Sequence, residues 1–183
     1  QLGGMRSAYR IGNSQAVYAL ANKVSANPNA TKLQRAAANF YIGKIAYDRN
    51  DFSAALTAFN ESIRLSDNEQ TAEARYLRAM IYYQRRDLVQ AEQLTMAANR
   101  ESSGYPYWVA KSVILLSDIF VEKGDLMNAR AALEALLDNY NEDQTVVAEA
   151  RQKLNRVNGL INQGSRLDVS DPNQLQFEGG GGR

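Results

Sequence analysis

Three short segments of the chain repeat one pattern at a nearly regular interval. Each has an Asp, an apolar residue directly after it, and an Ala four positions after the Asp: Asn50–Ala55, Arg86–Ala91 and Gly124–Ala129. The three Asp residues are 36 and then 38 positions apart. An Asp side chain accepts hydrogen bonds from the free backbone N–H groups that open a helix, so each segment predicts a turn followed by a helix. Apolar residues at helical spacing lie on both sides of each turn, which predicts a helix–turn–helix unit that is repeated three times.

This pattern resembles the tetratricopeptide repeat, a family whose unit of about 34 residues pairs an A helix with an antiparallel B helix. Small residues stand where the two helices of that family approach closely: Gly43, Ala79 and Ser117 in helix A, and Ala55, Ala91 and Ala129 in helix B. The signature Trp of the family is absent, and its place holds Asn39, Arg75 and Val113. The resemblance covers about residues 31–141 and implies an all-α, right-handed α-solenoid of antiparallel helix pairs. The alternative is three unrelated helix pairs.

The repeats divide the chain into six parts. Residues 1–30 are interpreted as an incomplete preceding repeat that supplies only helix B, and repeats 1, 2 and 3 then span residues 31–66, 67–101 and 102–141. A capping helix is expected over residues 142–163, because one apolar stripe with polar remaining faces suits a helix that seals the last repeat. The stripe consists of Val147, Ala150, Leu154, Val157 and Ile161. Residues 164–183 are polar and Gly-rich and predict a flexible tail.

In the family, the A helices line a concave face that holds a peptide or a neighbouring protein. The resemblance therefore implies a partner-binding groove lined by Phe40, Lys44, Tyr47, Tyr76, Met80, Tyr83, Ile114 and Asp118, with Val121 beside them. Tyr and Met supply a large contact area together with a polar or polarizable group, so we expect an aromatic, weakly charged groove. The alternative is that these aromatic side chains pack between repeats. A clamp for a terminal carboxylate is not expected, since Lys44 is the single basic residue among these positions.

Composition argues against most catalytic chemistry. The chain has no Cys and no His, which excludes disulfides, a Cys nucleophile, an imidazole base and a zinc site of the usual ligands. No pattern predicts a strand, so a phosphate loop between a strand and a helix has no place to form. We therefore expect a non-catalytic protein without a metal or cofactor, and no small-molecule substrate. No apolar run approaches the roughly 18–20 residues of a membrane span.

Charge is distributed unevenly along the chain. The net charge of +1 divides into +6 for residues 1–50, −1 for residues 51–100 and −4 for residues 101–183. The leading interpretation is a protein-interaction scaffold that binds through its groove. A second hypothesis is a self-assembling piece of a longer array, in which a basic end meets the acidic end of another copy. A nucleic-acid-binding regulator is less favoured, because the small net charge offers no general attraction to phosphates.

The last repeat also suggests a location. Residues 124–141 look like the repeat units of bacterial cell-envelope proteins. That resemblance implies the periplasm or the inner face of the outer membrane, and an envelope assembly as the setting. The absence of Cys is compatible with such a space, and the cytoplasm stays the alternative.

Overall fold

The computed structural model describes the backbone of residues 2–169 and the side chains of residues 3–164. Every regular element in this part of the chain is a helix. The helices are α1 (Leu2–Arg10), α2 (Ser14–Ala26), α3 (Lys32–Asp48), α4 (Phe52–Leu65), α5 (Glu69–Gln84), α6 (Leu88–Glu101), α7 (Pro106–Glu122), α8 (Leu126–Asn139) and α9 (Gln144–Val169). The predicted flexible tail lies outside the described residues from position 170 onward.

The turns between paired helices are built in the same way each time. A residue with positive φ comes first, and an Asp or Asn that caps the next helix follows it. The pairs of residues are Gly12–Asn13, Asn50–Asp51, Arg86–Asp87 and Gly124–Asp125. Each cap accepts a hydrogen bond from the backbone N–H three residues later, which satisfies a donor that the helix leaves free. The predicted role of the three Asp residues is confirmed.

The first 30 residues differ from the interpretation above, because they contain a pair of helices and not helix B alone. The nine-residue helix α1 packs against both α2 and α3. It buries Met5 and Ala8 in the same core as Phe40 and Phe59. Gly3 and Gly4 lower the intrinsic helix propensity of α1, so packing of Met5 and Ala8 is what stabilises it.

The helix pairs stack side by side into a solenoid. The A helices are α1, α3, α5, α7 and α9, and the B helices are α2, α4, α6 and α8. Consecutive A helices contact one another, whereas consecutive B helices approach each other much less. The stack therefore curves with the A helices on its inner side, and we call this A-helix surface the concave face.

The close approach predicted for small residues is visible in repeat 1. Gly43 in α3 lies directly against the Phe59 ring of α4, and a Cβ atom at Gly43 would come within 2.7 Å of that ring. The corresponding Ala79 and Ser117 are also buried. At Gly43 even a Cβ atom does not fit without a shift, and at the buried Ala79 and Ser117 a larger side chain would push the helices apart, so these positions set the packing distance of each pair.

Helix α9 covers the open end of repeat 3. Its apolar stripe is buried at Val147, Ala150 and Val157 and packs against α8 and α7. The helix continues to Val169, six residues beyond the boundary expected at residue 163. Gly164 does not end it, because a single Gly inside a helix costs only about 1 kcal/mol.

Candidate partner-binding surface

The residues predicted to line the groove fall into two groups. Phe40 and Ile114 are each only 3% exposed, so they support the concave face from below and offer little area to a partner. The other residues are partly exposed on the A helices: Lys44, Tyr47, Tyr76, Met80, Tyr83, Asp118 and Val121. The sequence did not separate the two groups, because a 3.6-residue period gives the direction of a side chain but not the depth at which the next helix covers it.

A ladder of tyrosines runs along one edge of the concave face. The second-to-last residue of an A helix is a Tyr whose hydroxyl bonds to the last residue of the next A helix. Tyr9 donates to Asp48 at 2.7 Å, Gln84 donates to Tyr47 at 3.0 Å, and Tyr83 donates to Glu122 at 2.7 Å. Burial and the carboxylate acceptor raise the pKa of Tyr9 and of Tyr83 above the ordinary value. In α7 the equivalent residue is Val121, so the ladder ends there.

The middle of the concave face is aromatic. The Tyr76 ring in α5 lies 5.7 Å from the Trp108 ring in α7, and Tyr107 meets Trp108 edge-on at 4.9 Å. Burial is the main reason that the pKa of Tyr76 is raised. Trp108 Nε1 is buried and has no hydrogen-bond partner among the described residues. No sequence signal pointed to Trp108, because the family's own Trp position lies elsewhere in helix A.

Three acidic groups on the concave face form ion pairs with lysines of a neighbouring A helix. Glu73 forms an ion pair with Lys44, Asp118 accepts from Lys153 at 2.7 Å, and Glu149 accepts from Lys111 at 2.8 Å. Each pair joins one A helix to the next. The face is therefore weakly charged, and its ion pairs hold neighbouring repeats together.

The face is more basic at its amino-terminal end. Arg6 and Arg10 are one helical turn apart on α1 and are exposed without an ion pair among the described residues. They border a cavity of about 210 Å³ beside the rings of Tyr9 and Tyr41. The Lys44 ammonium lies 4.9 Å from the centre of the Tyr9 ring, a cation–π arrangement that fixes the wall of this cavity.

No group of three or more His, Cys, Asp or Glu that suits a metal ion occurs among the described residues. Among the described helices, none combines the length and the apolar character that crossing a membrane needs. The concave face presents aromatic rings, phenol hydroxyls and ion pairs.

Comparison with known proteins identifies the repeat. Residues 42–106 match the tetratricopeptide repeat family model. This part of the chain contains tetratricopeptide repeat sequence. The match begins inside α3 and ends at the first residue of α7, so it covers repeat 2 and parts of its neighbours. No curated protein matches the chain.

Two solved structures have a fold similar to that of this chain. The N-terminal domain of stress-induced protein-1 (STI-1) from C. elegans has 19% sequence identity and a TM-score of 0.56, over 67% of this chain and 96% of that one. BtubC (BKLC) from P. vanneervenii has 12% identity and a TM-score of 0.65, over 97% of this chain and 79% of that one. The prediction of an all-α solenoid of antiparallel helix pairs is confirmed. At these identities the similarity concerns the fold alone.

Proposed function

We propose that this tetratricopeptide protein is a non-catalytic scaffold whose concave face binds a peptide segment or a partner subunit. The fold itself is one that proteins use for interaction. The observation that carries the proposal is the row of partly exposed Tyr and Met side chains on adjacent A helices: Tyr47, Tyr76, Met80 and Tyr83. Tyr residues are enriched at the energetic centres of protein interfaces, since they bury much area at small entropic cost.

Two tyrosine side chains of this row are held in place by other residues of the protein, which supports the same conclusion. The Tyr83 hydroxyl is held by Glu122, and the Tyr76 ring is held by Trp108. Side chains fixed before binding lose little conformational freedom when a partner arrives, which favours affinity. Met80 lies between these two tyrosines along α5 and adds a side chain that adapts to the shape of the partner.

Charge limits the kind of partner. On the concave face between α3 and α9, three carboxylates are paired with lysines, so this part of the face attracts a strongly acidic or basic segment only weakly. A segment with aromatic or aliphatic side chains and backbone groups free to bond to phenol hydroxyls fits this surface best. Nucleic acid fits it poorly, because binding to phosphates needs an excess of positive charge.

The test uses Met80→Lys, with Met127→Lys as the matched control. Met80 is half-buried on the concave face, whereas Met127 is 57% exposed on α8, a B helix on the outer side of the stack. The same substitution is thus made at an inner and an outer position. Each protein is immobilised and used to capture proteins from fractionated cells of the source organism. Captured proteins are identified by mass spectrometry, and their affinity is then measured with purified components.

We expect the wild type and Met127→Lys to retain the same partner and Met80→Lys to lose it. Circular dichroism should show equal helix content in the three proteins. A partner that binds all three equally, or one that only Met127→Lys loses, would contradict a binding site on the concave face.

We also propose a bacterial envelope assembly as the setting, with the periplasm or the outer membrane as location. The similarity of residues 124–141 to envelope repeat proteins supports this choice. Fractionation of cells that express the full-length protein tests it, and recovery in the cytoplasmic fraction alone would contradict it.

A further inference from the structure

Repeat 3 has an open apolar groove that is separate from the concave face. The groove has a volume of about 460 Å³ and lies between α7 and α8. Its walls are mostly aliphatic: Val109, Val113 and Leu116 from α7, and Ala132, Ala135 and Leu136 from α8. These residues come from the first part of α7 and the last part of α8. The groove therefore opens at the edge of the solenoid where A helices begin and B helices end.

The equivalent place in repeat 2 is filled by arginines. Arg75 and Arg78 stand 38 positions before Val113 and Leu116. The guanidinium of Arg75 is buried and pairs with Asp67 at 3.0 Å and with Glu101 at 3.2 Å, and Arg78 donates to Asn60. Long side chains with internal partners thus close this edge in repeat 2. In repeat 3 short aliphatic side chains leave the edge open and apolar, which is the condition for an external apolar group to enter.

The rim of the groove is acidic. Tyr140 lines one end, and the carboxylates of Asp143 and Glu142 lie close enough to it to raise the pKa of its phenol, after the effect of burial. Glu142 and Asp138 are exposed and have no ion-pair partner among the described residues. An occupant with an apolar side chain and adjacent positive charge complements this groove.

An exposed apolar side chain beside a positive charge lies on the same edge of the solenoid, towards the amino-terminal end of the chain. Leu33, in the first turn of α3, is 47% exposed, and Lys32 beside it is exposed without an ion pair among the described side chains. Because A helices run parallel through the solenoid, the start of α3 and the start of α7 lie on one edge, two repeats apart. The first 50 residues carry a net charge of +6, opposite in sign to the last part of the chain.

We propose that the occupant of the groove is a second copy of this chain, which inserts Leu33 between α7 and α8 while Lys32 faces the acidic rim. A two-fold axis at the edge of repeat 2 brings the start of α3 of each copy to the groove of the other. Both contacts then form at once, and the assembly closes as a dimer. The concave faces stay outside this contact, so the inference does not depend on the function proposed for them.

The test compares Leu33→Asp with Ile11→Asp. Ile11 is 78% exposed, belongs to the same basic end, and lies in the turn at the opposite edge, so it is a matched control. Both positions are exposed, and neither change should impair folding. Mass is measured by sedimentation equilibrium over a range of concentrations from micromolar to millimolar. Removal of one buried Leu on each copy should weaken the dimer by at least about tenfold per site.

The expected result is a monomer–dimer equilibrium that is equal in the wild type and Ile11→Asp and shifted to monomer in Leu33→Asp. Ala135→Arg, at an exposed position in the groove wall, should give the same shift from the other side of the contact. Higher ionic strength should weaken the wild-type dimer, since Lys32 is paired with exposed acids. A wild type that stays monomeric, a mass that grows beyond the dimer, or equal loss in Leu33→Asp and Ile11→Asp would each overturn the proposal.

Discussion

Replacement of Gly43 by Ala tests the packing that sets the distance between α3 and α4. The new Cβ would lie 2.7 Å from two atoms of the Phe59 ring, closer than carbon atoms pack, and Phe59 is fully buried. Overpacking of this kind costs about 1–3 kcal/mol of unfolding free energy. The change from Gly to Ala inside a helix returns about 1 kcal/mol. The net expectation is a loss of up to about 2 kcal/mol, the difference between those two terms.

Gly159→Ala in α9 is the matched control, because a Cβ there meets no atom within 4 Å. It should gain about 1 kcal/mol from helix propensity alone. The propensity term cancels between the two variants, so the unfolding free energy of Gly43→Ala should be lower than that of Gly159→Ala by the overpacking cost of about 1–3 kcal/mol. Urea unfolding followed by circular dichroism gives both values.

A Phe59→Leu background tests whether the Phe59 ring causes the loss of unfolding free energy in Gly43→Ala. In a Phe59→Leu background the clash is relieved, so Gly43→Ala should become neutral or stabilising there. The reasoning would be refuted if Gly43→Ala and Gly159→Ala stabilised the protein equally. It would also be refuted if Gly43→Ala cost as much in the Phe59→Leu background as in the wild type.

Two further predictions concern titration and capping. Because burial raises the pKa of Tyr76 above its ordinary value of 10.0, the folded protein keeps this proton where the unfolded chain loses it, and unfolding free energy should fall as pH rises above about 10. Tyr76→Phe should make that fall shallower in urea titrations at alkaline pH, and an unchanged slope would contradict the assignment. Asp87→Ala should lower unfolding free energy by about 1 kcal/mol, since the side chain caps α6 through the N–H of Gln90, whereas Asp87→Asn should cost much less. Equal stability of the Ala and Asn variants in thermal unfolding would show that the cap is not what stabilises the turn.

The sequence predicted local features of the fold well because their causes are local. A helix cap, a turn residue and a small side chain at a close approach each act over a few residues, and three copies in phase made them recognisable. Helix α2 agrees with the predicted helix B, but α1 and its turn into α2 were not predicted although their signal is present. Gly12–Asn13 stands 38 positions before Asn50–Asp51 and forms the same turn with positive φ and a capping side chain. Its Asn in place of Asp and the two glycines of α1 concealed it.

The candidate site was less predictable because its contacts join distant parts of the chain. Glu73 pairs with Lys44 and Trp108 meets Tyr76, and neither relation follows from the spacing of residues within one helix. The burial of Phe40 likewise depends on Phe59 and Tyr41, whose rings lie 6.4 Å and 5.1 Å from it. Period and register predict the direction of a side chain around its helix, but the neighbouring repeat decides whether that side chain stays accessible.

Because the tyrosine ladder ends at Val121, the last pair of consecutive A helices is held by different polar contacts from the first three pairs. Each of the first three junctions between A helices has a phenol hydrogen bond, and the first and third add contacts between aromatic rings. The polar links of the last junction, between α7 and α9, are the pairs of Lys111 with Glu149 and of Lys153 with Asp118. Ion pairs at a partly exposed surface weaken as salt screens them, whereas ring contacts do not. The α3–α5 junction has one ion pair, Lys44 with Glu73, beside its phenol hydrogen bond, whereas the α7–α9 junction has two ion pairs. Rising ionic strength should therefore loosen the junction between α7 and α9 more than the junctions before it.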